Sequence, residues 1–415
     1  MRILFLDAYF EPEQIAFTHL EKDLLEGLIQ AGHEVEIVCP TPARGVSAEV
    51  AKKYKKIKSE TLYEGYVHVT RFSAPQEGKN PIVRALRYFW CNLRSYQIGK
   101  KIENIDVVFA NSTPPTQGLL AGKLSRRLGC PFVYSLQDIF PDSLVNAKMT
   151  KKGSLIWKIG RKIEDYTYHS ADRIIVISEG FKRNIMEKGV PEEKIVVIPN
   201  WVDTESVYPV DRKDNILFDR YNLDRDKFYI CYSGNIGHSQ NLELLLEAAK
   251  QIKTELPDVS FVLIGEGAAK GELEKEVAEE QLDNIIILPF QPYEDIAHVF
   301  SLGDVGLIIS KPGIGGSSVP SKTWSIMAAE RPVLTSFDED SEVNAIVKQL
   351  NCGICSNAGE LNTFCTVICT LYENRTFAKE MGKSGRNYVC RELNKGHCTR
   401  KYIDVIEATP EIFVQ

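Results

Sequence analysis

No run of about 18 apolar residues occurs in the chain, so no segment reads as a membrane-spanning helix. A leader pattern is missing too. The opening Arg2-Ile3-Leu4-Phe5-Leu6, with an acid at Asp7, reads as a strand rather than a charged region followed by an apolar stretch and a cleavage site, and the expected location is the cytoplasm. Cys352-Gly-Ile-Cys355 has no second CxxC to complete a zinc site: Cys365 and Cys369 are spaced differently, and Cys390 and Cys398 stand apart. Cys39, Cys130 and Cys231 lie in apolar strand-like runs, where a free thiol behaves as a small hydrophobe, so reduced structural cysteines are expected rather than a disulfide scaffold.

What is present is an ordinary globular composition, 44% hydrophobic and 26% charged, in 415 residues, enough for two domains of about 200 residues each. The net charge of -6 conceals an asymmetry: residues 1–200 hold 29 Lys+Arg against 23 Asp+Glu, and the remainder 21 against 33. Ala51 to Lys101 alone carries 12 basic and 3 acidic side chains, a density suited to an anionic surface or substrate.

Short β-branched runs alternate with helical patterns: Arg2 to Leu6, Glu34 to Cys39, His68 to Phe72, Asp106 to Ala110, Phe132 to Leu136, Arg173 to Ser178, Lys194 to Ile198. Alternation of this kind predicts βαβ units and a parallel sheet. After a polar stretch, Asp211 to Lys227, read as a linker, a second series begins at Tyr229 and continues to Cys355. The expected organisation is α/β, with domains at 1–210 and 211–395 and a C-terminal helix or tail at 396–415 packing back on the first domain. Ligands are expected in an inter-domain cleft at the C-terminal ends of the strands.

Three segments of the second half point to an anion site. Gly234-Asn235-Ile236-Gly237 lies between a strand and a helix, where glycines admit a diphosphate to free N–H groups; a plain βα turn explains it equally well. Gly265-Glu266-Gly267 follows the next strand, with a carboxylate placed for a sugar or ribose hydroxyl or simply solvated. The third, Lys311-Pro-Gly-Ile-Gly-Gly-Ser317-Ser318-Val-Pro320-Ser321-Lys322, places an N-cap candidate at Ser321 and a cation in the first helical turn. The helix dipole disfavours that cation, and a bound phosphate accounts for Lys322 better than helix stability does. In the first half, Tyr9 to Ala16, Asn111 to Gln117 and Ser135 to Asp142 follow strand ends; Asp138 is the first candidate for catalysis and Glu13 the second, with helix capping the alternative for Asp138.

Together with Gly32-His33-Glu34-Val35, Ala171 to Ser178 and Ile198-Pro-Asn200-Trp-Val-Asp203, these motifs make the chain resemble, over nearly its whole length, the glycosyltransferases of family four. It looks most like their bacterial branch that builds O-antigen, capsule and colanic-acid polysaccharides, including N-acetyl-L-fucosamine transferases. The resemblance implies two tandem Rossmann-like domains of GT-B architecture, a UDP-sugar donor, a lipid-diphosphate-linked saccharide acceptor and transfer of a hexose derivative with retention. Asn235 and Gln240 stand where many members have Arg and Lys, which leaves phosphate neutralisation to Lys322, N–H groups and Lys311. Ser317 and Ser325 replace the family's paired glutamates, and no histidine matches the usual one of the first domain.

No cofactor or metal is expected, since Asp224-Arg-Asp226 and Asp338-Glu-Asp340 read as surface charge. Leu86, Phe89, Leu93 and Tyr96 fall at helical spacing with Arg84, Arg87, Arg94 and Lys101 projecting elsewhere, so association with the inner face of an anionic plasma membrane is expected, against a helix packed on its own core. Two other readings compete: a UDP-sugar 2-epimerase of the same fold and a non-enzymatic two-domain ligand-binding protein. Nucleic acid is not an expected partner, because the basic stretch contains no reading motif.

Overall fold

The computed structural model describes residues 1–13, 18–75, 81–146, 149–314 and 319–413. The chain divides into two units, Met1–Pro199 with Cys398–Gln415, and Asn200–His397.

Unit 1 is built on an eight-stranded sheet: β1 Arg2–Leu6, β2 Glu34–Pro40, β3 Ser59–Leu62, β4 Val67–Phe72, β5 Val107–Asn111, β6 Phe132–Leu136, β7 Arg173–Val176 and β8 Ile195–Val197. Its order is β3-β4-β2-β1-β5-β6-β7-β8, parallel except for β3, which pairs antiparallel with β4 at the edge. The interior strands are buried on both faces, and therefore read in sequence as continuous apolar runs. Unit 2 carries six parallel strands: β9 Phe228–Ser233, β10 Val259–Ile264, β11 Ile285–Leu288, β12 Val305–Ile309, β13 Val333–Phe337 and β14 Gly353–Asn357, in the order β11-β10-β9-β12-β13-β14. The order reverses between β1 and β5 in one sheet and between β9 and β12 in the other. Crevices for ligands open at such points, beyond the carboxyl ends of the strands.

Residues 200–210 pack with unit 2. Arg386 donates to the Val207 carbonyl at 2.9 Å, and the N–H of Val210 donates to Ser301 Oγ at 3.0 Å. The stretch read as a linker holds the short helix Ile216–Arg220, with Leu217 and Phe218 in the core; flanking charges masked that signal. The last helix, Lys395–Phe413, returns to unit 1. There the Tyr402 hydroxyl lies 3.2 Å from Ser135 Oγ, His33 Nε2 meets Glu407 Oε1 at 3.0 Å, and Ile403 packs against Gly27. All ten cysteines are free thiols, and Cys352 is buried.

Candidate active site

The site in unit 2 begins with two glycine turns pressed together. Gly234 follows β9 with φ 144°, in the region that favours glycine, and a Cβ there would lie 2.9 Å from Lys322 Nζ. A Cβ on Gly265 would sit 1.9 Å from the Gly234 carbonyl oxygen, and one on Gly267 would sit 2.1 Å from that of Ile236. Backbone bonds lock the pair: the N–H of Gly234 donates to Ile264 O at 2.9 Å, that of Gly265 to Leu288 O at 3.2 Å, and that of Ile236 to Glu266 O at 2.8 Å. The N–H groups of Gly234 and Gly265 are thus satisfied by the sheet and do not face a ligand. These two glycines serve close packing rather than donation.

Lys322 supplies the charge. It opens the helix Lys322–Ala328, and its Nζ lies 3.9 Å from the centroid of the Tyr232 ring. The Tyr232 hydroxyl is turned away, donating to the Asn235 carbonyl at 2.6 Å, so the ammonium meets a π face. Lys322 as a whole is half-buried, yet desolvation of its ammonium lowers its pKa to about 7. Among the described residues no carboxylate pairs with it. A desolvated cation without a counterion is costly for a folded protein to keep, and such groups cluster where a ligand of opposite charge binds. Ser325 stands half-buried one turn further along the same helix.

The other expected donor residues divide into three groups. Asn235 is exposed beside Gly237, where a Cβ would lie 2.7 Å from Asn235 Nδ2. Gln240 Oε1 is buried beside the same glycine without a hydrogen-bond partner. Glu266 is drawn to Lys270 at 2.7 Å, which lowers its pKa, and Lys311 pairs with Glu243 at 3.3 Å; both must exchange these partners to reach a ligand. Ser321 holds the N-cap position in helical φ/ψ with no side-chain cap bond, and Pro320 precedes it. Ser317 and Ser318 lie outside the described residues, as do Gln14, Ile15 and Ala16. Tyr232 is the residue that sequence reasoning missed: it reads as a core strand position, and only the fold places its ring under Lys322.

Unit 1 gathers carboxyl groups at its own switch point. Asp7, one residue past β1, is buried, accepts the N–H of Tyr9 at 2.9 Å and lies beside the Glu21 carboxyl; Asn111, at the end of β5, donates to Glu21. Burial raises the pKa of Asp7 to about 6 and that of Glu21 well above the carboxylate range. Asp7 lines a small pocket with Tyr9, Arg87, Tyr88, Asn92 and Gln117. Glu13 is also buried. One of its oxygens accepts the N–H groups of Ala43 and Arg44, each at 2.8 Å, which makes it an anchor for that loop, and burial raises its pKa to about 7.

Asp138 is exposed in the turn after β6, whose own N–H donates to Ser112 Oγ at 3.1 Å. Its carboxyl accepts from Ser143 and the N–H of Ile139 beside the helix Asp142–Asn146, while partial desolvation and, to a lesser extent, Asp142 raise its pKa. This is the geometry of local capping, and a second pocket, lined by Asp138, Tyr134, Phe140 and Glu164, opens next to it.

These raised carboxyl pKa values set a sign. The folded protein holds protons that the unfolded chain releases above about pH 4, so stability should fall as pH rises through about 6 for Asp7 and about 7 for Glu13. Glu21→Gln keeps an oxygen for Asn111 and an N–H for Asp7 without a titrating proton. Melting temperature measured by calorimetry should rise at pH 8 and stay unchanged at pH 4; a loss at both would show that Glu21 does not hold a proton in the folded protein.

Comparison with known proteins agrees with both halves. Residues 22–206 match the Glycosyltransferase Family 4 model, and residues 213–388 match that of Glycosyl transferases group 1. The chain is 29% identical over 284 residues to the glycosyltransferase WbjE of Pseudomonas aeruginosa, covering 68% of this chain and 70% of that one. It is 26% identical to the glycosyl transferase WcaI of Escherichia coli, named for colanic acid biosynthesis, over 98% of this chain and 100% of the relative. A UDP-Gal:alpha-D-GlcNAc-diphosphoundecaprenol alpha-1,3-galactosyltransferase of Escherichia coli is 24% identical, over 72% of this chain and 74% of its own. Among solved structures, Anabaena Alr3699/HepE in complex with UDP superposes with a TM-score of 0.73 at 15% identity, covering 98% of this chain and 100% of that one, a likeness of GT-B fold. With a Family 4 half followed by a group 1 half, the chain belongs to the family-four glycosyltransferases.

Proposed function

We propose that the chain transfers a hexose derivative from a UDP-sugar, with retention at the anomeric carbon and without a metal, to a lipid-diphosphate-linked saccharide in the assembly of O-antigen or capsule at the inner face of the plasma membrane. N-acetyl-L-fucosamine is the donor sugar to test first. The observation that carries this reading is the desolvated ammonium of Lys322, without a carboxylate partner among the described residues, between the Gly234 turn and the Tyr232 ring. A diphosphate is the ligand it suits. Charge that develops on the departing UDP would be met by a cation already in place, with no reorganisation at the moment of bond cleavage. The pocket-lining carboxyl groups of Asp7 and Asp138 are the polar groups of unit 1 offered to an acceptor hydroxyl. The UDP complex of a fold neighbour and the diphosphoundecaprenol substrate in a relative's name support the choice of donor and acceptor.

Purified protein incubated with a panel of UDP-sugars and a lipid-diphosphate saccharide, in EDTA, should give one glycosylated product of retained configuration by mass spectrometry and NMR. Inverted configuration, or an absolute need for metal, would overturn the corresponding part. Donor consumption that ignores the acceptor would make the protein an epimerase; binding without turnover would make it a ligand-binding protein.

A further inference from the structure

The helix Pro81–Gly99 is inside out. Its sequence places apolar residues at helical spacing, and an ordinary surface helix would bury that stripe. Here the buried side holds Arg87, 2% exposed, with Cys91 and Ser95, while Leu86 is 64% exposed and Phe89 70%. Arg87 is held inward by the Pro75 carbonyl, to which it donates at 2.5 Å. The helix Leu155–Ser170 repeats the arrangement. Its buried side includes Glu164, bonded to Lys188, Arg161 and Tyr168, while Leu155 is 74% exposed and Ile156 and Ile159 also face outward.

The two patches share one edge of the unit. Each helix crosses between parallel strands, Pro81–Gly99 from β4 to β5 and Leu155–Ser170 from β6 to β7, so each starts at the carboxyl end of the sheet. The most exposed apolar residues lie in the first halves of both, with Leu93, 41% exposed, just beyond. The helix Gln117–Leu128 fits between, with Gly118 and Gly122 tight against Thr167 and Ser170. The two pockets described above open at this edge, one lined by Arg87 and Tyr88, the other by Phe140 and Glu164.

Charge selects the occupant. Neither the helix Pro81–Gly99 nor residues 149–163 contains an acidic side chain. Lys151, Lys152, Lys158 and Lys162 are exposed around the second patch, and among the described residues none of the four is in an ion pair. Trp90, half in solvent with its indole N–H on the Ser73 carbonyl at 3.2 Å, has the amphipathic character of a residue at a lipid headgroup boundary. No helix among the described residues is long and apolar enough to cross a membrane, so contact is restricted to the surface.

We propose that the first halves of these two helices form a single docking surface for an anionic phospholipid bilayer, which sets the carboxyl edge of the unit 1 sheet, and its pockets, against the lipid. An apolar stripe flanked by lysines binds such a surface by inserting its side chains to headgroup depth and pairing the ammonium groups with lipid phosphates. This deepens the transferase reading by naming the partner, and rests on that reading only for its purpose. The edge facing the bilayer is the one where a lipid-linked saccharide would arrive.

The test is co-sedimentation with vesicles of phosphatidylcholine alone and of phosphatidylcholine with phosphatidylglycerol, with no donor present, so failure of the transferase reading leaves the result untouched. Full-length protein should bind the anionic vesicles and lose binding in high salt. The pairs L86E/F89E and L155E/I159E should each weaken partitioning at least tenfold, and together abolish it, with unchanged melting temperatures because all four side chains stand in solvent. Turnover of a water-soluble acceptor analogue should be kept. Wild-type protein that ignores anionic vesicles, or pairs that bind as wild type does, would overturn the proposal. So would a concentration-dependent dimer in sedimentation velocity that the same pairs dissociate while vesicle binding is absent, since the surface would then belong to a second copy.

Discussion

Replacing Lys322 by Met should lower transferase turnover by about 100- to 1000-fold, the usual cost of removing a preorganised group that meets developing charge, and should at the same time raise the melting temperature. The two effects have one origin. An ammonium whose pKa lies near 7 in the folded protein, against about 10.4 in the unfolded chain, opposes folding. Its sign follows from linkage. Below pH 7 both states hold the proton and the penalty is fully present; as pH rises from 7 to about 10 the folded state sheds its proton first and the penalty fades. The gain in melting temperature from Lys322→Met should therefore be largest at pH 6 and vanish near pH 10. Binding of UDP should draw a proton onto Lys322 at pH 8, visible as a buffer-dependent heat in titration calorimetry, and affinity should fall as pH rises above 7. Unaltered UDP affinity in the Met variant would end the phosphate assignment.

Gly265→Ala should move stability and activity in the same direction instead. The added methyl group would sit 1.9 Å from the Gly234 carbonyl oxygen, a backbone atom that cannot turn aside. The β9 and β10 turns must then part, and the bonds from Gly234 to Ile264 and from Ile236 to Glu266 stretch with them. Overpacking of this kind costs about 1–3 kcal/mol in a well-packed core and more where only backbone can yield. The expected loss in chemical denaturation is at the upper end of that range. Because the Gly234 turn is also the wall against Lys322, donor affinity should drop even at temperatures where the variant is folded. An alanine variant with wild-type stability would show that the turns are not pressed together in solution.

These two residues show how far sequence alone reaches. Glycines after β-runs and a lysine at a helix start were legible, because strand ends and first turns leave local signatures. That the N–H groups of Gly234 and Gly265 are already taken by neighbouring strands, and that Lys322 lies over Tyr232, depends on register across a parallel sheet, which local pattern does not encode. The interior strands were visible as apolar runs; β3, Ser59–Leu62, was not, since an edge strand with alternating exposure and no apolar run looks like a loop. Leu86 and Phe89 announced a helix, but spacing alone cannot say which side faces the core, and the reversal rests on the inward Arg87. Glu21 gave no signal at all: its partner Asp7 is fourteen positions away and Asn111 ninety.

The return of the helix Lys395–Phe413 to unit 1 bears on the order of synthesis. Unit 2 is, in topology, an insertion between β8 and that helix. A ribosome delivers β1 to β8 first, yet Tyr402, Ile403 and Ile406, which fill the positions between Ser135 and Gly27, emerge only after all of unit 2 has been made. The first-made sheet is therefore the last to be finished, and it must wait with an apolar face uncovered while its neighbour completes itself. A chain cut after Cys390 keeps every strand of both sheets and still lacks the piece that closes the older one.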